Sequence, residues 1–150
     1  MDVDEKLLAP CGLYCGVCAV LIAHRDDNMK FKERLTGVYG LTDPEQIRCK
    51  GCLSEERFIL CESCLIRDCV EEKGIEGCHE CDDFPCEYID QFPIEVGKRV
   101  IMRAVPYRRE VGTEKWVEDE EKRYLCPHCG YVLFRGAKRC RNCKAEVDLD

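Results

Sequence analysis

The chain has 150 residues, is 45% hydrophobic, and contains fifteen cysteines and a formal net charge of -7. Without the cysteines only about a third of it is apolar, too little for a conventional core, so disulfides, metals or association must supply stability. No run of about 18 apolar residues exists, which excludes a membrane-spanning helix. The opening MDVDEKLLAP is acidic and lacks the basic segment and apolar run of a signal peptide.

A cytoplasmic location with free thiols is therefore expected, and the odd cysteine count also argues against full disulfide pairing. Six CxxC pairs occur: Cys15–Cys18, Cys49–Cys52, Cys61–Cys64, Cys78–Cys81, Cys126–Cys129 and Cys140–Cys143. A CxxC turn can aim both sulfurs at one cation, so metal binding is the expected chemistry. Charge is unevenly spread. Residues 1–95 carry 10 Lys/Arg against 21 Asp/Glu, a net of -11, and residues 96–150 carry 13 against 9, a net of +4.

Three parts are expected: a cysteine-rich metal-binding module over 1–90, a helical connector over 91–124, and a zinc ribbon over 125–150. The fold class reads as a small metal-stabilised α+β protein, with short helices around cysteine knuckles and a C-terminal β zinc ribbon.

In chain order, Val17 to Leu35 reads as one helix with Val20, Leu21, Ala23, Phe31 and Leu35 on one side and Gly37 as its stop. Thr42-Asp43-Pro44-Glu45 reads as a helix start, leading to a short helix that delivers Cys49 and Cys52. Leu65 to Lys73 reads as a helix ended by Gly74. Residues 94–105 and 112–123 read as two more, broken around Pro106. Glu114, Glu118 and Glu121 against Lys115, Lys122 and Arg123 mark a solvated face, with Trp116, Val117 and Tyr124 packing inward. Tyr131–Phe134 is expected as a strand, and no internal repeat longer than the CxxC unit is visible.

The segment CPHCGYVLFRGAKRCRNC places Cys126, Cys129, Cys140 and Cys143 as two facing knuckles. Four cysteines exhaust a tetrahedral zinc ion, which makes the site closed and structural. Gly130 permits the turn after the first knuckle, and His128 is expected to be exposed rather than a ligand.

The first module holds eleven thiols, enough for two further sites. One partition takes Cys15, Cys18, Cys49 and Cys52 for the first site. The second site then draws on Cys69, Cys78, Cys81 and Cys86, with Cys61 and Cys64 as competitors. About three zinc ions per chain are expected. An iron–sulfur cluster in this module is the alternative, because all-cysteine sites suit either, and Cys61, Cys64 and Cys69 or Cys11, Cys15 and Cys18 offer three ligands. The Cys11–Cys15–Cys18 spacing also matches that of radical S-adenosylmethionine enzymes, but the chain has no alternating βα pattern to surround such a cluster.

The N-terminal module resembles the family catalogued as domain-of-unknown-function family 3795. The resemblance rests on a CGLYCGxC-like opening, a CxGC knuckle, a C-x-I-R-x-C segment and a closing FPC. The matching residues are Cys11, Gly12, Cys15, Cys18, Cys49, Gly51, Cys52, Cys64, Ile66, Arg67, Cys69, Cys78, Cys81, Phe84, Pro85 and Cys86, over roughly residues 9–90. Gly112, Trp116 and the last four cysteines are similar to the later part of some members. The resemblance implies a metal-binding fold, with zinc, and no established activity. Cys61 stands outside the family set.

The functional expectation is a zinc-binding adaptor module with a protein partner, or with RNA or DNA held by Arg135, Lys138, Arg139, Arg141 and Lys144 and stacked on Tyr131 and Phe134. An iron–sulfur redox or electron-transfer protein is the alternative. No Ser/His/Asp set, HExxH helix or phosphate loop appears. His24 reads as a solvated helix residue and His79, inside CHEC, as an optional ligand. An enzyme using a spare thiol such as Cys11 or Cys61 is the third reading.

Overall fold

The computed structural model describes residues 2–150 and contains six α-helices: α1 (Ala19–Arg25), α2 (Met29–Val38), α3 (Leu65–Lys73), α4 (Glu87–Asp90), α5 (Glu95–Val111) and α6 (Thr113–Arg123). Short 3-10 turns precede and join them, two of which begin at cysteines, Cys15–Val17 and Cys78–Glu80. Among the described residues there is no β-strand. The antiparallel pairings are single bridges: Leu8 with Tyr14, Leu125 with Val132, and Arg139 with Glu146.

The expected α+β class and β zinc ribbon are therefore corrected. Tyr131–Phe134 does not form a strand, because its ladder stops after one bridge. The next residues turn inward: Phe134 stacks on Phe31 at 5.2 Å, and the Arg135 N–H donates to the Val17 carbonyl at 2.8 Å instead of to a neighbouring strand.

The expected helix over Val17–Leu35 is two helices. Asp27 adopts φ 46°, and Asn28 caps α2 by accepting the Phe31 N–H at 3.1 Å. The expected apolar side continues across the break, with Val20, Leu21, Ala23, Phe31 and Leu35 all buried. Gly37 does not stop α2, which continues to Val38. The Asp43-Pro44 start yields one 3-10 turn, Pro44–Gln46, closed by a capping box between Asp43 and Gln46. No helix carries Cys49 and Cys52.

Leu65–Lys73 is helical as expected, with Gly74 left-handed at φ 68°. Pro106 does not break α5, which runs through it. The carbonyl that proline leaves without a partner belongs to Met102, whose residue is exposed, so water can replace the missing bond. The break falls instead at Gly112, at φ 86°.

The core is divided. One apolar group joins α1 and α2 to Ile47 and Phe58. A second gathers Ile66, Val70 and Ile89 on Ile101 and Val105 of α5. A third packs Tyr14 and Val17 against Val100, Ala104, Trp116, Val117 and Tyr124. Helix α5 thus shares its faces between two of them. Trp116 and Tyr124 are fully buried, as their spacing suggested. The charged face of α6 is also as read, with Lys115–Asp119 and Lys122–Glu118 pairs one turn apart.

Candidate metal centres

The last 25 residues are built on a backbone repeat of fourteen residues, visible in the side chains only as the two CxxC pairs. The Cys126 N–H donates to Tyr131 O at 2.8 Å, and the Cys140 N–H to Ala145 O at 2.9 Å. The Gly130 N–H returns to Cys126 O at 2.8 Å, and the Lys144 N–H to Cys140 O at 3.0 Å. Gly130 has φ 77° and its counterpart Lys144 φ 68°, so both turns use the left-handed region. His128 N–H and Asn142 N–H each donate to the first sulfur of their own knuckle, Cys126 and Cys140, at 3.4 Å.

Facing one another, the two knuckles bring the sulfurs of Cys126, Cys129, Cys140 and Cys143 within 4.8 Å of one another. The Cys126–Cys143 sulfurs are 3.8 Å apart and the Cys129–Cys140 sulfurs 3.7 Å. That is too far for a disulfide. It fits the edge of a regular tetrahedron of four thiolates around an ion at about 2.3 Å, which is about 3.8 Å. The donor set therefore fits a closed metal site, whose ion would crosslink the two halves. Hydrogen bonding from the Asn142 side chain helps pull the Cys129 thiol down to about 6, toward the form that binds metal. His128 is exposed and contributes its backbone rather than its ring.

The eleven N-terminal thiols are arranged differently. Among the described residues, no three of them bring their sulfurs within 4.8 Å of one another; the other group that does so is Glu76, His79 and Glu80. The thiols nevertheless sort into two neighbourhoods. Burial pushes Cys11 up to about 12, with Cys52 and Cys64 adding to it. Burial likewise holds Cys15 well above its usual value, reinforced by Cys18 and Cys52. Cys61 is an exposed residue, yet desolvation of its thiol pushes it up to about 12, reinforced by Cys18, Cys49, Cys52 and Cys64. These seven share one region around the Cys15–Val17 turn and the CKGC loop. The Cys52 N–H donates to Cys15 Sγ at 3.4 Å, joining the two expected knuckles, and the Gly51 N–H donates to Cys49 Sγ at 3.3 Å.

The second neighbourhood is Cys69, Cys78, Cys81 and Cys86. They surround a cavity of about 20 Å³ between α3 and the segment leading to α4, also lined by Ile66 and Val70. Such a space holds a single water or ion. Cys78 is pushed up to about 12 by burial, reinforced by Cys81, Cys86 and Cys69. The Lys73 ammonium donates to Cys81 Sγ at 3.2 Å.

Two arginines serve the first neighbourhood, Arg67 buried and Arg135 half-buried, and the sequence did not flag either for that role. Arg67 donates to Cys52 Sγ at 3.5 Å and to the carbonyls of Cys61 and Glu62. Arg135 reaches from the C-terminal unit to the Tyr14 carbonyl at 3.1 Å. The only available signal was the invitation of Arg67 inside C-x-I-R-x-C. Of the other expected cations, the Arg141 guanidinium lies 4.2 Å from the Phe31 ring centroid, Arg139 pairs with Glu146 at the surface, and Lys138 and Lys144 are exposed. His24 lies half-buried in the last turn of α1, and the His79 ring sits beside Glu80, its pKa lowered by burial.

No helix of the described residues is long and apolar enough to cross a membrane. The sequence model of a family described as a protein of unknown function, DUF3795, matches residues 7–91, the segment that carries all eleven N-terminal cysteines. No curated protein and no solved structure matches the chain.

Proposed function

The chain belongs to the DUF3795 family of proteins of unknown function, and from that premise we propose that it is a zinc-stabilised binding module that engages a protein partner. The observation that carries the reading is the closed set of four sulfurs at Cys126, Cys129, Cys140 and Cys143, with edges of 3.8 and 3.7 Å. Four thiolates leave no position for water, so the ion contributes structure. The N-terminal module takes about two more ions. One is held at the cavity lined by Cys69, Cys78, Cys81 and Cys86. The other is held among Cys11, Cys15, Cys18, Cys49, Cys52 and Cys64, with Cys61 nearby.

A protein partner is favoured over RNA or DNA by where the charges go. Arg135 and Arg141 point into the molecule and Arg139 is paired, which leaves little of a continuous phosphate-binding stripe. Leu53, Ile59, Leu60 and Leu65, by contrast, are exposed within one stretch of chain. Anisotropy titration with a fluorescent single-stranded oligonucleotide at low salt is expected to show no saturable binding, and submicromolar binding would overturn the choice of partner.

The second reading is an iron–sulfur cluster at the seven-thiol region, working in electron transfer. It is favoured by the excess of thiols there and by the Arg67 hydrogen bond to Cys52 Sγ, since donors to sulfur tune such clusters. Elemental analysis and an absorption spectrum of protein purified without air separate the two. Colourless protein with about three zinc ions per chain supports the module; brown protein containing iron and sulfide supports the cluster.

A further inference from the structure

Arg135 belongs by sequence to the link between the two C-terminal knuckles, where Lys138 and Arg139 face water. Its own groups face the other way. The backbone N–H donates to the Val17 carbonyl at 2.8 Å, and Nη1 donates to the Tyr14 carbonyl at 3.1 Å. Those carbonyls immediately precede Cys18 and Cys15. The guanidinium carries its charge at any physiological pH, and these two hydrogen bonds place it beside the turn that carries Cys15 and Cys18. A divalent ion held by four thiolates carries a formal charge of -2, and a buried charge of that kind is costly unless an opposite charge lies close. Arg67 serves one flank of the seven-thiol region, at Cys52. The flank of Cys15 and Cys18 has its cation from the C-terminal unit.

What holds Arg135 there depends on that unit. The neighbouring residues Leu133 and Ala137 are buried with Cys126 and Cys140. The Gly136 N–H donates to the Asp150 carboxylate at 2.8 Å. Phe134 and Arg141 both rest on Phe31 of α2. We infer that Arg135 is the counter-ion of the N-terminal metal centre on its Cys15 and Cys18 side, carried there by the C-terminal four-cysteine unit, so that assembly of the C-terminal site sets how tightly the N-terminal centre keeps its metal. The inference rests on the reading that the N-terminal thiols bind metal.

The test loads the full chain with cadmium and follows each thiolate site by cadmium NMR while a chelator extracts the metal. The N-terminal resonance is assigned as the one lost in Cys15→Ser. In Arg135→Met, cadmium at this site is expected to leave roughly ten- to a hundredfold faster, the usual effect of losing a partner outside the ligand shell, while the C-terminal resonance keeps its rate. Arg135→Lys restores the charge and is expected to stay within about threefold of wild type. The double variant Cys126→Ser/Cys140→Ser releases Arg135 by another route, and the N-terminal rate should rise as it does in Arg135→Met. An unchanged rate in Arg135→Met overturns the inference, as does a Lys variant as impaired as the Met variant. No N-terminal cadmium resonance in the wild type overturns the reading of metal in that module, and the inference with it.

Discussion

Cys126→Ser gives the most direct measure of what a metal contributes to the C-terminal unit. Cys126 is 4% exposed and accepts the His128 N–H at 3.4 Å. Apart from its cysteines, the buried core of the unit is Leu133, Ala137 and Val147. Burial of Leu133 and Val147 contributes about 1.5–3 kcal/mol each, and alanine less. An ion joining four thiolates contributes roughly 10 kcal/mol or more. Loss of one ligand therefore removes most of what orders residues 124–150. Two amides report it by hydrogen exchange: Leu133 N–H, bonded to Tyr124 O at 2.7 Å, and Val147 N–H, bonded to Lys138 O at 3.0 Å. Both should exchange slowly in the zinc-loaded chain and near the free rate in Cys126→Ser or after chelation. The amides of Ile101 and Val105, buried in α5, should stay protected in all three. Slow exchange at Leu133 and Val147 without metal would refute the reasoning, because packing alone would then suffice.

Three further outcomes are expected. Arg103 and Glu120 pair at 2.5 Å, but the Arg103 side chain is 31% exposed and the Glu120 side chain 3%. Arg103→Met strands a buried carboxylate and should cost about 3–5 kcal/mol, whereas Glu120→Gln leaves an arginine that can turn to water and should cost about 1–2 kcal/mol; equal losses in thermal melts would contradict this. At Gly51, φ is 123° and a Cβ would come within 2.2 Å of the Lys6 carbonyl oxygen. Gly51→Ala should therefore lose at least about 2 kcal/mol and reduce N-terminal metal content, read by melting and elemental analysis. Lys144→Gly relieves a left-handed lysine and should raise the melting temperature by the equivalent of about 0.5–1 kcal/mol, while Gly130→Ala at the matching position lowers it by about 1 kcal/mol. A Lys144→Gly variant no more stable than wild type would mean that the lysine is not strained there.

Several parts of this arrangement were legible in the residues alone. Leu65–Lys73 carries its own stop in Gly74, and Trp116, Val117 and Tyr124 are the large apolar residues of a strongly charged helix, so local rules sufficed for them, though not for Glu120, which is buried beside them. The four sulfurs of the last unit were found by spacing, because a CxxC turn has few other uses at that density. Other parts were hidden for physical reasons. Asp26-Asp27-Asn28 interrupts an apolar stripe that continues in phase, so periodicity could not see the break. Pro106 was overvalued because its cost depends on whether the freed carbonyl meets water, which is a tertiary fact. The ribbon strands failed because Phe134 and Arg135 are more strongly drawn to Phe31, Tyr14 and Val17 than to a neighbouring strand. Arg135 and Arg141 looked like a solvent-facing basic patch, since nothing local distinguishes a cation bound to a carbonyl or an aromatic ring from one in water. Beyond its two CxxC pairs the fourteen-residue repeat was masked, because other equivalent positions, such as Gly130 and Lys144, share a backbone angle and not a side chain.

That repeat has a kinetic consequence. In each half the first cysteine is buried, Cys126 and Cys140, and the second is exposed, Cys129 and Cys143. A metal ion held between them would be walled off on one side and open to approach on the other. A competing thiol, a chelator or an oxidant meets Cys129 and Cys143 before it meets their partners. Tight retention at equilibrium and quick, one-sided exchange are then compatible in the same four sulfurs, and the order of ligand release is written into which cysteine of each pair faces the solvent.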